Sequence, residues 1–188
     1  MTKYEAFLLI HIVSVIVWLG AGTTLALTAL YAERRRDRVL LERIPMLAQW
    51  LGPRVIGPAA LLVLAMGFAL VSEGSWSYSM LWIQLGLTAF ALTLITNFAL
   101  RFPLLRRLEA AGGPGAESAQ ALRATAGLLA LARLDLTILY LTVADMVVKP
   151  TGDDPWVLVV GGLVLLAGLL SALVAGTRPE RLRPTAAA

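Results

Sequence analysis

Six side chains of this sequence could do chemistry inside an apolar medium: His11, Arg54, Arg133, Asp135, Asp145 and Lys149. His11 is the only histidine, set in the oily run LLIHIVSVIVWLGAG seven residues before Trp18 and near Gly20 and Gly22. An ionisable group at mid-bilayer costs at least about 2.5 kcal/mol, so each calls for a partner or a task. Asp145 and Lys149 have the i, i+4 spacing of a helical ion pair, with the acid on the favourable N-terminal side. At about 100° per residue, Asp135, Thr142, Asp145 and Lys149 fall on one stripe of a helix and Arg133, Thr137 and Tyr140 on the opposite one. Asp135 offers an arginine a counter-ion, yet Arg133 is expected to pair across helices, with Asn97 a candidate. Counted inward from one membrane face, His11 and Asp145 lie within about two turns of each other, which allows an imidazole–carboxylate bond where the first and fourth helices meet. That bond would fix the tautomer and present the other ring nitrogen. Met66, Met80 and Met146 share the same leaflet, and histidine with thioethers suits haem iron or Cu(I). The plainer readings are that Arg54 and Arg133 snorkel to nearby headgroups, the methionines fill gaps, Asp145 and Lys149 end a helix, and His11 bonds a carbonyl.

The elements that position these groups follow from composition. The chain has 188 residues, 59% hydrophobic and 15% charged, with a mean hydropathy of +0.79. Such a composition belongs to a membrane protein. Crossing a bilayer takes roughly 20 helical residues, and five stretches are long enough: Ala6 to Tyr31, Trp50 to Val71, Met80 to Leu100, Leu128 to Val148 and Trp156 to Val174. Lipid offers backbone amides no partner, and unbroken apolarity without alternation selects helices over barrel strands. The first stretch is read as a retained span, since it is too long for a cleavable leader. With no cysteine, disulfides, iron–sulfur clusters and thiolate zinc sites drop out. The net charge of +4 does not call for nucleic acid, because the basic residues have a topological use.

Arg34, Arg35, Arg36, Arg38 and Arg43 follow the first span, Arg101, Arg106, Arg107 and Arg123 join the third to the fourth, and Arg178, Arg181 and Arg183 fill the tail. The other side holds Lys3 and Lys149, so twelve basic residues face two. The positive-inside rule then places the N-terminus outside and the C-terminus in the cytoplasm. Trp50, Trp76, Trp82 and Trp156 lie near span ends, as headgroup anchors do. AAGGPGAES is a Gly/Pro break, after which ESAQALRATAG starts the fourth helix early, on the water side. Gly168, Ala172 and Gly176 make a small-residue ridge on the fifth span, whose expected job is packing. The expected architecture is an all-α polytopic bundle of five transmembrane helices: a four-helix core over residues 1–150, then a packed fifth helix and basic tail over 151–188.

HIVSVIVWLGAG, with its histidine, six residues, then W-x-G, resembles the first helix of a superfamily that includes the CopD copper-resistance proteins and the HemJ-type protoporphyrinogen oxidases. ADMVVKP, Ala144 to Pro150, is similar to the VVKP ending of the HemJ type. With WLGPR, LWIQLGL and ARLDL, the pattern most resembles an uncharacterised family of predicted bacterial integral membrane proteins, over about residues 4 to 150. The resemblance implies a multi-pass protein of the bacterial inner membrane in contact with lipid, with a membrane redox partner or a second copy of itself as candidate partners. It also implies haem b on His11, with Met66, Met80 or Met146 as candidate second ligands and Trp18 nearby. The third-helix lysine of the HemJ type is missing from LWIQLG and its Asn-Glu-Pro group is replaced by ARLDLT, so porphyrinogen oxidation is not expected. Nor do the residues show a nucleophile–base pair or phosphate loop of conventional enzymes. Three functions compete: haem b binding with electron transfer through His11; copper or proton handling through His11, Met146 and Asp145; and a non-catalytic scaffold.

Overall fold

The computed structural model describes residues 1–114, 116 and 118–177. Gly115 and Glu117 of the Gly/Pro break, and Arg178, Arg181 and Arg183 of the tail, lie outside the described residues. Every regular element among the described residues is helical. They are α1 (Lys3–Arg35), α2 (Arg38–Leu51), α3 (Gly57–Glu73), α4 (Leu81–Ile95), α5 (Phe102–Ala110), α6 (Ala119–Val148) and α7 (Pro155–Gly176). A π-helical stretch, Gly52–Ile56, joins α2 to α3, and another, Thr96–Arg101, joins α4 to α5. Five continuous helical rods therefore form, each long and apolar enough to cross a membrane.

Local chemistry sets the ends. Thr2 and Glu5 close a capping box at the start of α1, satisfying two amide donors that would otherwise have no acceptor. Asp37 accepts from the Leu40 amide at 3.0 Å and Ser118 from the Ala121 amide at 3.1 Å, opening α2 and α6. The early start of the fourth rod, at Ala119, is thus borne out. The helices also run past the apolar stretches: α1 continues through the arginine cluster to Arg35, and the third rod continues through RFPLLRRLEA to Ala110. Charged side chains at a rod's end keep their heads in water while the backbone remains helical.

α1 and α6 stand at the centre. α1 packs on α2, α3 and α6, and α6 packs on α1, α4, α5 and α7. Small residues make these approaches possible: Ala121, Ala124, Ala126 and Ala172 are buried. The ridge on α7 meets α6 as expected, with Ala130 Cβ 3.6 Å from where a Cβ on Gly176 would lie, and Thr137 standing over Gly168. Large apolar side chains such as Leu61, Phe98, Val147 and Leu163 face outward, as a lipid-facing surface requires.

Candidate functional site

His11 is held by the first and second rods. A backbone carbonyl can only accept, so the ring donates Nδ1–H to Val63 O of α3, at 3.0 Å. In the neutral ring this leaves the Nε2 lone pair free, and Nε2 takes part in no hydrogen bond among the described residues. Gly67, one turn along α3, gives the imidazole room: a Cβ there would lie 3.6 Å from Cε1.

This corrects the expected bond to Asp145 at the contact of the first and fourth rods. Where α1 meets α6, Gly22 faces Leu139 and Thr23 bonds the Tyr140 hydroxyl at 3.2 Å. In an antiparallel pair, counting outward from there brings Asp145 level with about Ile16 to Trp18, roughly 7–11 Å along the axis from His11 at 1.5 Å per residue. Asp145 turns instead to α4: its Oδ2 would be 3.7 Å from a Cβ on Gly86, and the Met146 methyl presses on the same glycine. Both Asp145 oxygens are buried and have no hydrogen-bond partner among the described residues.

Lys149 does not pair with Asp145 either. It ends α6 in the left-handed conformation, φ 52°, and its ammonium lies 4.1 Å from the Trp76 ring centroid and 5.4 Å from that of Trp82. Pro150 explains the departure from the helix, because its ring disfavours right-handed helical backbone at the residue before it. Of the other residues named from sequence, Trp18 packs edge-on against Phe90 of α4, centroids 5.7 Å apart. Met66 precedes Gly67 on α3 and Met80 is the residue before α4. Arg54 is exposed and lies over the Trp50 ring, 5.4 Å from its centroid.

At the arginine-rich end the two stripes of α6 separate as expected. Asp135 faces the third rod, paired with Arg101 and accepting from Thr96 Oγ1 at 3.1 Å. Arg133 faces α1 and pairs with Glu33. The cross-helix pairing is as expected; the partner is not Asn97, whose amide donates to Thr93 O of its own helix at 2.8 Å. Glu33 and Arg101 were missed because they lie beyond the ends drawn for the apolar stretches, and Thr96 because it lies inside the third stretch and carries no charge to mark it. Val63 acts through its carbonyl, which no side-chain type announces; the glycines at 67 and 86 carried a signal, since glycine inside a helix marks close approach.

Residues 5–150 match a family described as predicted integral membrane protein, DUF2269. The chain belongs to this DUF2269 family. The match spans the first four rods and stops before α7. No curated protein and no solved structure matches the chain at a significant level.

Proposed function

We propose that this DUF2269 protein binds haem b in the half of the bundle that carries His11, which would hold it through Nε2, and passes electrons to a membrane partner. The observation that carries the reading is the Nδ1–H bond to Val63 O. A ligating histidine typically donates its second ring nitrogen to a carbonyl or carboxylate, which fixes the tautomer and the ring plane. The residues suit a group held from one side: one oriented imidazole over the bare backbone of Gly67. Haem held there by His11 would supply a one-electron couple, its potential tuned by the residues that hold it. Met66, next to Gly67 on the helix that anchors the ring, is the thioether proposed to help hold the haem.

Copper finds less support. Met146 is engaged with Gly86 between α4 and α6 while His11 turns to α3, so the proposed pair of donors points into different helix contacts. The same reading places the arginine-rich end in the cytoplasm of a bacterium and the Trp76 end outside, on the charge asymmetry of the sequence.

The test is optical. Protein purified in mild detergent from haem-replete cells is expected to show a Soret band, His11→Gly to lose it, and added imidazole to restore it. A wild-type protein that yields no porphyrin on acid extraction overturns the proposal.

A further inference from the structure

At the Trp76 end, a cation rests on aromatic faces beside a carboxyl group that has no hydrogen-bond partner among the described residues. Trp76 and Trp82 meet edge to face at 5.2 Å and 90°, and the Lys149 ammonium lies over both rings. Trp76 is fixed from behind, donating Nε1–H to the Tyr4 hydroxyl at 3.4 Å. Gly74 makes room for it: a Cβ there would come within 2.6 Å of Trp76 Cδ1. One turn back along α6, Asp145 buries both carboxylate oxygens without a partner, although Lys149 has the spacing to pair with it. Lys149 is exposed, so the indole faces are reached from outside the bundle. Among the described residues, α4 and α7 contain no ionisable residue, His11 of α1 is turned to Val63, and Lys3 at the start of α1 is exposed, whereas the Asp145 oxygens are buried.

We propose that the Trp76–Trp82 pair, with Asp145 beside it, is a binding site for a small organic ammonium ion, which replaces Lys149 on the indole faces while Lys149 moves to Asp145. Indole faces attract ammonium ions through the ring quadrupole, and quaternary ammonium groups are a common ligand of such faces. An alkylated ammonium is less strongly hydrated than the lysine head, so it loses less on leaving water. The displaced Lys149 meets a carboxylate already stripped of solvent, and that new pair offsets the lost ring contact. Lys149 thus keeps the site filled when ligand is absent, and Asp145 receives it when ligand arrives. This inference does not depend on haem at His11.

The chain has two lysines, Lys3 and Lys149, so full-length protein labelled with [ε-13C]lysine gives two resolvable signals. Lys149 is expected upfield of Lys3, shifted by the ring currents of the two indoles. Tetramethylammonium chloride should move the Lys149 signal saturably towards the Lys3 position, and sodium chloride at equal ionic strength should not. Asp145→Asn is expected to raise the half-saturating concentration roughly tenfold, equivalent to about 1.4 kcal/mol of lost attraction, and Trp82→Leu to abolish the response. Equal movement in both salts, no movement, or an Asp145→Asn titration that overlays the wild type overturns the proposal. Should Asp145→Asn fail to fold, the two-salt comparison on the wild type decides alone.

Discussion

The Glu33–Arg133 pair ties together the two central rods, and its strength can be bracketed from its surroundings. Exposed ion pairs contribute about 0–1 kcal/mol, whereas breaking a buried one costs about 3–5 kcal/mol, because a charge is left without a partner. Here the side chains keep 21% (Arg133) and 16% (Glu33) of their full exposure. Among the described residues Arg133 Nη1 is buried without an acceptor, and Glu33 is the acidic residue paired with the guanidinium. Solvent reaches enough of both groups to discount the buried limit, and Glu33→Gln is expected to destabilise the protein by about 2 kcal/mol. The assay is a double-mutant cycle of Glu33→Gln, Arg133→Gln and both together, with unfolding in mixed micelles followed by far-ultraviolet circular dichroism. Direct contact predicts a coupling of about 2 kcal/mol, within the usual range for touching residues. A coupling below about 0.5 kcal/mol would refute the claim that this bond holds α1 against α6.

Gly168→Leu is expected to destabilise by about 1–3 kcal/mol through overpacking, since even a Cβ at 168 would fall 2.5 Å from Thr137 Oγ1. Gly161→Leu, where nothing lies within 4 Å, should leave the same unfolding curve in place. Outside the spans, the Asp154 carboxyl is held below its ordinary range by the Thr151 amide and then by the Thr151 hydroxyl. A lowered folded value means the turn gains from the ionised form above the ordinary carboxylate pKa and loses that gain as pH falls through the folded value. Thr151→Ala should therefore raise the midpoint of the Asp154 carboxyl titration read by 13C NMR, and an unmoved midpoint would remove the hydroxyl's role. The cysteine-free sequence also permits a topology test: Ser75→Cys should react with an impermeant maleimide on intact cells and Arg107→Cys only after lysis, the reverse pattern inverting the orientation.

Helix number, the early start of α6 and the packing face of α7 were legible in the sequence because each rests on a one-dimensional signal: apolar length, a run of good helix formers after a Gly/Pro break, small residues four apart. The stripes of α6 were legible for the same reason, and they sort Asp135 and Asp145 to the third rod and Arg133 and Tyr140 to α1. Partner choice was not legible. His11 and Asp145 are close in depth, but depth says nothing about which neighbour a side chain turns to, and the relative slide of α1 and α6 is set by contacts such as Gly22 with Leu139. The i, i+4 rule failed for Lys149 because it assumes that the helix continues, and Pro150 ends it.

The two π-helical stretches show the same interplay of proline and partner choice. Each closes on a residue followed by proline: the Gly57 amide reaches back five residues to Gly52 O before Pro58, and the Phe102 amide to Asn97 O before Pro103. A proline ring clashes with the carbonyl four residues earlier in an α-helix, and a wider turn relieves that clash while keeping backbone groups bonded. In the third rod the widening also aims side chains. Thr96 and Arg101 both reach Asp135, yet in a regular α-helix residues five apart point about 140° away from each other at ~100° per residue. The wider turn of i to i+5 bonding brings them back towards one face. Deleting the outward-facing Phe98, 76% exposed, would convert the π turn to α and place Thr96 and Arg101 four residues apart, again on one face. In a Pro103→Ala background, where the proline clash is gone, this deletion should change stability by no more than about 1 kcal/mol relative to Pro103→Ala alone. Deleting Leu92 instead rotates everything after it by about 100° and should separate Arg101 from Asp135 with a much larger loss. Two deletions that damage the protein equally would show that the π turn does not set the aim of Arg101.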